Sequence, residues 1–154
     1  IILNNEMDDF SAQPGVPNVY GLVGSAANAV APGKRPLSSM SPTIVLRDGR
    51  AVLAVGGSGG PTILSGTLQV LLNVLDFGMP VEKAVPAPRI HHQWVPQVLM
   101  VEGGIPTETR ERLQRYGHEV RAVSSLGAVQ AVQRTTRGFS GMSDPRKGGQ
   151  ALGW

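Results

Sequence analysis

The dipeptide Asp48-Gly49 constrains this chain more than any other pair of residues. It separates two β-rich runs, Thr43-Ile44-Val45-Leu46-Arg47 and Arg50-Ala51-Val52-Leu53-Ala54-Val55. A two-residue connection between strands needs positive φ at both positions, which Asp-Gly tolerates, so the pattern predicts two antiparallel strands. Gly56-Gly57-Ser58-Gly59-Gly60 then breaks the second strand, and Pro61 opens a helix running to about Asp76. That stretch is apolar almost all round, which predicts a helix buried on every side and closed near Gly78.

Further along, Leu99-Met100-Val101-Glu102 reads as a strand. Thr107 reads as the N-cap of a short helix whose Leu113 and Tyr116 face the core and which stops at Gly117. Glu119–Val123 and Ala128–Gln133 alternate as strands do, joined by a Ser124-Ser125-Leu126-Gly127 turn. Residues 11–35 are punctuated by Gly, Pro, Asn and Ala, too often for regular structure, and read as a long surface loop with Tyr20 folding down over a surface. Hairpins with a buried helix give an α+β class, a sandwich of sheet and helix.

The chain has 154 residues, 41% of them hydrophobic, enough for one domain with a sizeable core. Its net charge of +3 comes from the second half, with no block of like charge and no basic stripe interleaved with aromatics, which argues against a nucleic-acid partner. With no cysteine there is no disulfide or thiol chemistry. The longest apolar run, around Val70-Leu71-Leu72, is far shorter than the roughly 20 residues of a membrane span. Ile1-Ile2-Leu3 reads as the interior or end of a buried strand, so the sequence is expected to start within a domain.

Several clusters could carry chemistry. The glycines between strand and helix lack the Lys and Ser/Thr of a phosphate loop. They are either a tight turn or a set of amides donating to a developing oxyanion. Ser38 and Ser39 sit between Pro36 and Pro42, either a polar turn or a ligand wall, and neither lies in a nucleophile elbow. Glu6, Asp8 and Asp9 form an acidic knot, either a capped strand end or a site for an ammonium group. Adjacent His91 and His92 point opposite ways on an extended chain, so no metal site is expected, and packing of His and Trp94 on the sheet is the default. Asp144-Pro145-Arg146 reads as a turn with a local ion pair.

The order of these motifs is informative. Asn4-Asn5-Glu6-Met7-Asp8-Asp9-Phe10, Pro17-Asn18-Val19-Tyr20-Gly21-Leu22, Pro32-Gly33-Lys34-Arg35-Pro36-Leu37-Ser38-Ser39-Met40-Ser41-Pro42, the double glycine, Pro88-Arg89 to Trp94 and Ser143-Asp144-Pro145-Arg146 follow one another. Together they resemble the small subunit of the γ-glutamyltranspeptidases (glutathione hydrolases), and the Pro-Leu-Ser-Ser-Met-Ser-Pro string is the most specific.

The resemblance implies an N-terminal-nucleophile hydrolase αββα sandwich cut from one autoprocessed precursor. Residues 1–154 would be its C-terminal, small-subunit part, completed by a large subunit, with residues 11–35 as lid loop and connection. It implies that Asp9, helped by Glu6, holds the α-amino group of a γ-glutamyl substrate such as glutathione. Ser38 and Ser39 would hold its α-carboxylate together with an arginine of the large subunit. The amides of Gly59 and Gly60 would form the oxyanion hole, and Tyr20 would gate the lid, residues 14–25. Glu6 stands where several relatives carry glutamine.

The family's nucleophile is the small subunit's N-terminal threonine, which with its supporting threonine and asparagine would precede Ile1. This chain alone is therefore expected to recognise but not turn over substrate, passing the glutamyl group to water or to an acceptor amino acid or dipeptide only with that segment in place. No cofactor or metal is implied, and relatives in bacteria are usually exported, which implies a periplasmic or secreted location. The alternatives are a cephalosporin or glutaryl acylase of the same superfamily and a non-catalytic remnant.

Overall fold

Asp48 and Gly49 adopt φ of 51° and 73° and join two antiparallel strands, β1 (Thr43–Arg47) and β2 (Arg50–Ser58), in the computed structural model, which describes residues 5–153. The strand expected at Ile1-Ile2-Leu3, like Asn4, lies outside the described residues. The second strand runs three residues past Val55 instead of breaking at Gly56. Gly56, Gly57 and Ser58 pair with Gln130, Val129 and Ala128, and a Cβ on Gly57 would lie 2.9 Å from the Ala128 carbonyl oxygen. These glycines permit close strand approach, and the break is confined to Gly59-Gly60.

Helix α1 (Thr62–Leu75) follows, and one face is buried: Ile63, Gly66, Thr67, Val70 and Val74, at the i, i+3, i+4, i+7 spacing of a single stripe. The expectation of burial on every side is corrected. Leu64 is 56% and Leu68 55% exposed, and Leu72 and Leu75 continue that outer stripe. A short helix, α2 (Val81–Ala84), completes the core with Val81, Ala84 and Val85 packed against Leu53, Val55, Val129 and Ala131.

Strands β3 (Ile90–His91), β4 (Leu99–Glu102) and β5 (Val120–Val123) form a three-stranded sheet, with α3 (Thr107–Arg115) as the crossover between parallel β4 and β5. Strands β6 (Ala128–Thr135) and β7 (Gly138–Met142) extend the first hairpin to a four-stranded sheet of order β1-β2-β6-β7. The turn at residues 124–127 thus passes the chain from one sheet to the other. Two expectations for α3 fail. Pro106, extended at ψ 143°, takes the cap position and Thr107 makes no capping hydrogen bond. Tyr116 lies beyond the last helical turn and is 73% exposed, so only Leu113 is half-buried.

The two sheets are tied by a buried polar cluster. Arg89 donates to Asp144 at 2.7 Å and to the Val85 carbonyl at 2.7 Å. Arg146 donates to Glu102 Oε1 at 2.6 Å and to Asp144 Oδ1 at 3.1 Å. Glu102 also accepts from the amides of Arg89 and Leu126, and Asp144 from that of Val129. The local Asp144 to Arg146 pair is present as expected, within a network whose members Arg89 and Glu102 come from the other sheet. Burial raises the Glu102 and Asp144 carboxyls, but hydrogen bonds from the arginines and backbone amides outweigh it and leave both below their ordinary values.

Residues 11–35 are not structureless. Ser11 bridges Ala29, Pro17 bridges Val23, and Ala26–Asn28 form a 3-10 turn. The tip closes on Asn18, whose Oδ1 accepts from the amides of Tyr20 and Leu22, both at 3.0 Å. Asparagine is suited to this because its side chain mimics a backbone turn. The expectation that Trp94 packs on the sheet also fails: its φ is 72° and the residue is 70% exposed.

Candidate functional site

The strand-to-helix turn sets the floor of a cavity of ≈ 570 Å³. Gly59 and Gly60, at φ of 134° and 58°, turn the backbone so that Thr62 can begin α1. The ring of Tyr20 rests on this turn, since a Cβ on Gly60 would meet Tyr20 Cε1 at 2.8 Å. The 3-10 turn Glu6–Asp9 carries Glu6 and Asp9 to the same space. Among the expected residues Glu6, Asp9, Tyr20, Ser39, Gly59 and Gly60 all line this one cavity, although they span the chain from position 6 to position 60.

Ser38 is the exception. Its hydroxyl donates to Glu6 Oε1 at 3.1 Å and accepts from the Met40 amide, and the residue lines a second cavity of ≈ 500 Å³ on the other side of Asp9. Ser39 lines both cavities, while the Ser38 hydroxyl is held by Glu6 and by the amide two residues on. Ser38 is nonetheless coupled to the acidic wall through Glu6.

Partial burial, then the charges of Glu6 and Asp8, push the Asp9 carboxyl above its ordinary 3.8. The Tyr20 phenol is likewise raised, by burial and then by Asp9 and Asp8. Three carboxylates within mutual reach form an electronegative wall suited to a cation, while Ser39 and the turn glycines offer donors to an anion or a polarised carbonyl. The arrangement can hold a group with both charges at fixed separation.

Two residues that build this site went unread in the sequence. Asn28 donates from Nδ2 to the Asp9 carbonyl at 2.7 Å and accepts at Oδ1 from the Leu37 amide at 2.9 Å, so one side chain fixes the distance between the acidic wall and the serine wall. Its signal was a lone amide in the small apolar run Ala26-Ala27-Asn28-Ala29. Lys147 reaches the cavity rim, donating to Ser58 Oγ at 3.2 Å. It follows Arg146 directly, one residue beyond the Asp144-Pro145-Arg146 motif.

Comparison with known proteins agrees with the motifs. The family model described as gamma-glutamyltranspeptidase matches residues 1–154. The glutathione hydrolase proenzyme of Escherichia coli is 52% identical over 147 residues, which cover 95% of this chain and 25% of that protein. A crystal structure of a Helicobacter pylori γ-glutamyltranspeptidase mutant superposes with a TM-score of 0.88 at 49% identity, over 96% of this chain and 82% of that one. The γ-glutamyltranspeptidase of Pseudomonas nitroreducens gives a TM-score of 0.90 at 42% identity, over 100% and 82%. The chain spans about a quarter of the length of its curated Escherichia coli and Pseudomonas relatives.

Proposed function

The chain belongs to the γ-glutamyltranspeptidase family, and from that premise we propose that it supplies the head-group site and oxyanion donors of an enzyme cleaving γ-glutamyl amide bonds. The observation that carries this reading is the single cavity lined by Glu6, Asp9, Ser39, Tyr20, Gly59 and Gly60. Asp9, with Glu6 beside it, pairs with the substrate α-ammonium. Ser39 and Ser38 donate to the α-carboxylate, Ser38 once the ammonium engages Glu6 and frees the serine hydroxyl. The γ-carbonyl carbon then faces a threonine hydroxyl supplied from outside these residues. Attack places charge on the carbonyl oxygen, which the Gly59 and Gly60 amides stabilise. Collapse expels the amine and leaves a γ-glutamyl ester, which water or an acceptor amine resolves. A site built this way rejects ligands lacking either charge, because its own polar groups would stay unpaired.

The partner in this reading is the rest of the precursor, a large subunit contributing an arginine to the carboxylate. Its docking is supported by the outer leucine stripe of α1, which nothing among the described residues covers. The enzyme is proposed to act in the periplasm or outside the cell. No helix among the described residues is long and apolar enough to cross a membrane.

The test is Asp9→Ala in the full-length protein, assayed by dye release from a γ-glutamyl anilide. A large rise in KM is expected. An unchanged KM, or faster turnover of glutaryl-cephalosporin than of glutathione by the unmutated protein, would remove the assignment.

A further inference from the structure

A line of hydrogen bonds runs from α1 to the lid and belongs to none of the groups described so far. Gln69 of α1 clasps the backbone of Ile90, donating to its carbonyl at 2.8 Å and accepting from its amide at 2.9 Å. This clasp sets the neighbouring His91, 4% exposed, against Ser65 of the same helix, with Ser65 Oγ and His91 Nδ1 2.8 Å apart. On its other side His91 Nε2 lies 2.9 Å from Gln93 Oε1. Gln93 Nε2 in turn donates to the Tyr20 carbonyl at 2.9 Å and to that of Val95 at 3.1 Å.

The chemistry of these groups fixes the direction of each bond from His91 to the lid. Carbonyl oxygens only accept, so the Gln93 amide must turn its NH2 to Tyr20 and Val95 and its oxygen to His91. His91 must then donate from Nε2, while the Ser65 hydroxyl stands within reach of both His91 Nδ1 and the Thr62 carbonyl, the latter at 3.2 Å. The line starts on α1 and returns to the turn that precedes it. Tyr20, held by its carbonyl, lays its ring on Gly60, two residues before α1 begins, and a Cβ on Gly21 would lie 3.8 Å from Gln93 Nε2. Trp94, beside Gln93, holds a positive φ of 72°, a conformation rare for a bulky residue and one that a loop retains only when its surroundings impose it.

We propose that Gln93, oriented by His91 and Ser65, is a positioning residue that latches the lid by its Tyr20 carbonyl and so keeps the Tyr20 ring over the glycine turn. This deepens the function proposed above and rests on it for the identity of the substrate, but not for the latch itself. The closed lid is the binding-competent state, so releasing the latch lowers its population and weakens apparent affinity by the same factor.

The experiment uses the full-length processed enzyme with Gln93→Glu, whose carboxylate cannot donate to Tyr20 or Val95, and Gln93→Met, which removes the bonds without adding charge. Amide exchange at Gly21 and Leu22, which needs no substrate, should accelerate roughly 3- to 10-fold, and KM for a γ-glutamyl anilide should rise by a similar factor with kcat within about twofold. His91→Gln, which can donate from the place of Nε2, should retain the slow exchange, and His91→Asn, which reaches only as far as Nδ1, should lose it. Wild-type exchange and KM in both Gln93 variants would overturn the latch. If exchange accelerates while Asp9→Ala leaves KM unchanged, the latch stands and the head-group assignment fails.

Discussion

Asp9 and Asp144 are two aspartates displaced in opposite directions, and each displacement has a measurable consequence. Asp9 sits above 3.8 through burial and the nearby Glu6 and Asp8 carboxylates. Ammonium recognition requires the ionised form. Affinity for glutamine, whose side chain does not titrate, should therefore fall as pH drops through that raised value, about tenfold per pH unit below it, and Asp9→Asn should abolish the dependence. Titration by calorimetry between pH 7 and 4 checks this. Asp144 is 1% exposed and sits below 3.8. A depressed carboxyl contributes stability that is full above the unfolded value and lost as pH falls through the folded one, so with Glu102 it places an acid limb of stability below about 4.5. Asp144→Ala leaves Arg89 buried without its counter-charge and should cost about 3–5 kcal/mol, read from the denaturant midpoint. Neither displacement could be read from the sequence, where Asp144 was a turn residue, because burial and partner distance are properties of the packed chain.

At the scale of elements, the strand-to-helix turn shows how two adjacent glycines do different work. A Cβ on Gly59 would lie 2.7 Å from the Gly127 Cα, backbone against backbone, and its φ of 134° is closed to other residues. Gly59→Ala should thus destabilise the fold by about 1–3 kcal/mol. A Cβ on Gly60 meets only the Tyr20 ring, a side chain on the movable lid. Gly60→Ala should cost less stability yet displace the lid, which thermal melts and amide exchange at Gly21 distinguish. Similar stability losses for both would contradict this division. The hairpin at Asp48-Gly49 and the start of α1 were legible because each depends on local φ preferences. Strand β7 and the parallel pairing of β4 with β5 were not, since their partners lie far away in sequence.

The whole molecule leaves two apolar surfaces uncovered among the described residues. One is the outer stripe of α1, Leu64, Leu68, Leu72 and Leu75. The other is the sheet face away from α1, where the register aligns Ile44, Ala54 and Val132 across three strands beside Phe139. An αββα sandwich places a second sheet on that side, and the chain is one part of such a sandwich. Leu68→Glu should change the stability of this chain by no more than about 0.5 kcal/mol while blocking association with the remainder of the protein, measured by co-purification. Strong retention would mean that α1 is not covered there. The uniform apolarity of residues 61–76 had suggested burial on every side. That pattern marks an apolar helix, while the packing of this chain buries one of its faces and leaves the other exposed. The sequence by itself determined the family, the hairpin, the helix and six of the residues that line the cavity, because motif order and local φ chemistry are written along the chain. Only the tertiary structure decided that Ser38 turns to Glu6, that Asn28 spaces the two walls and that Gln93 reaches Tyr20. Those facts are distances between segments far apart in sequence, which folding sets and no local preference encodes.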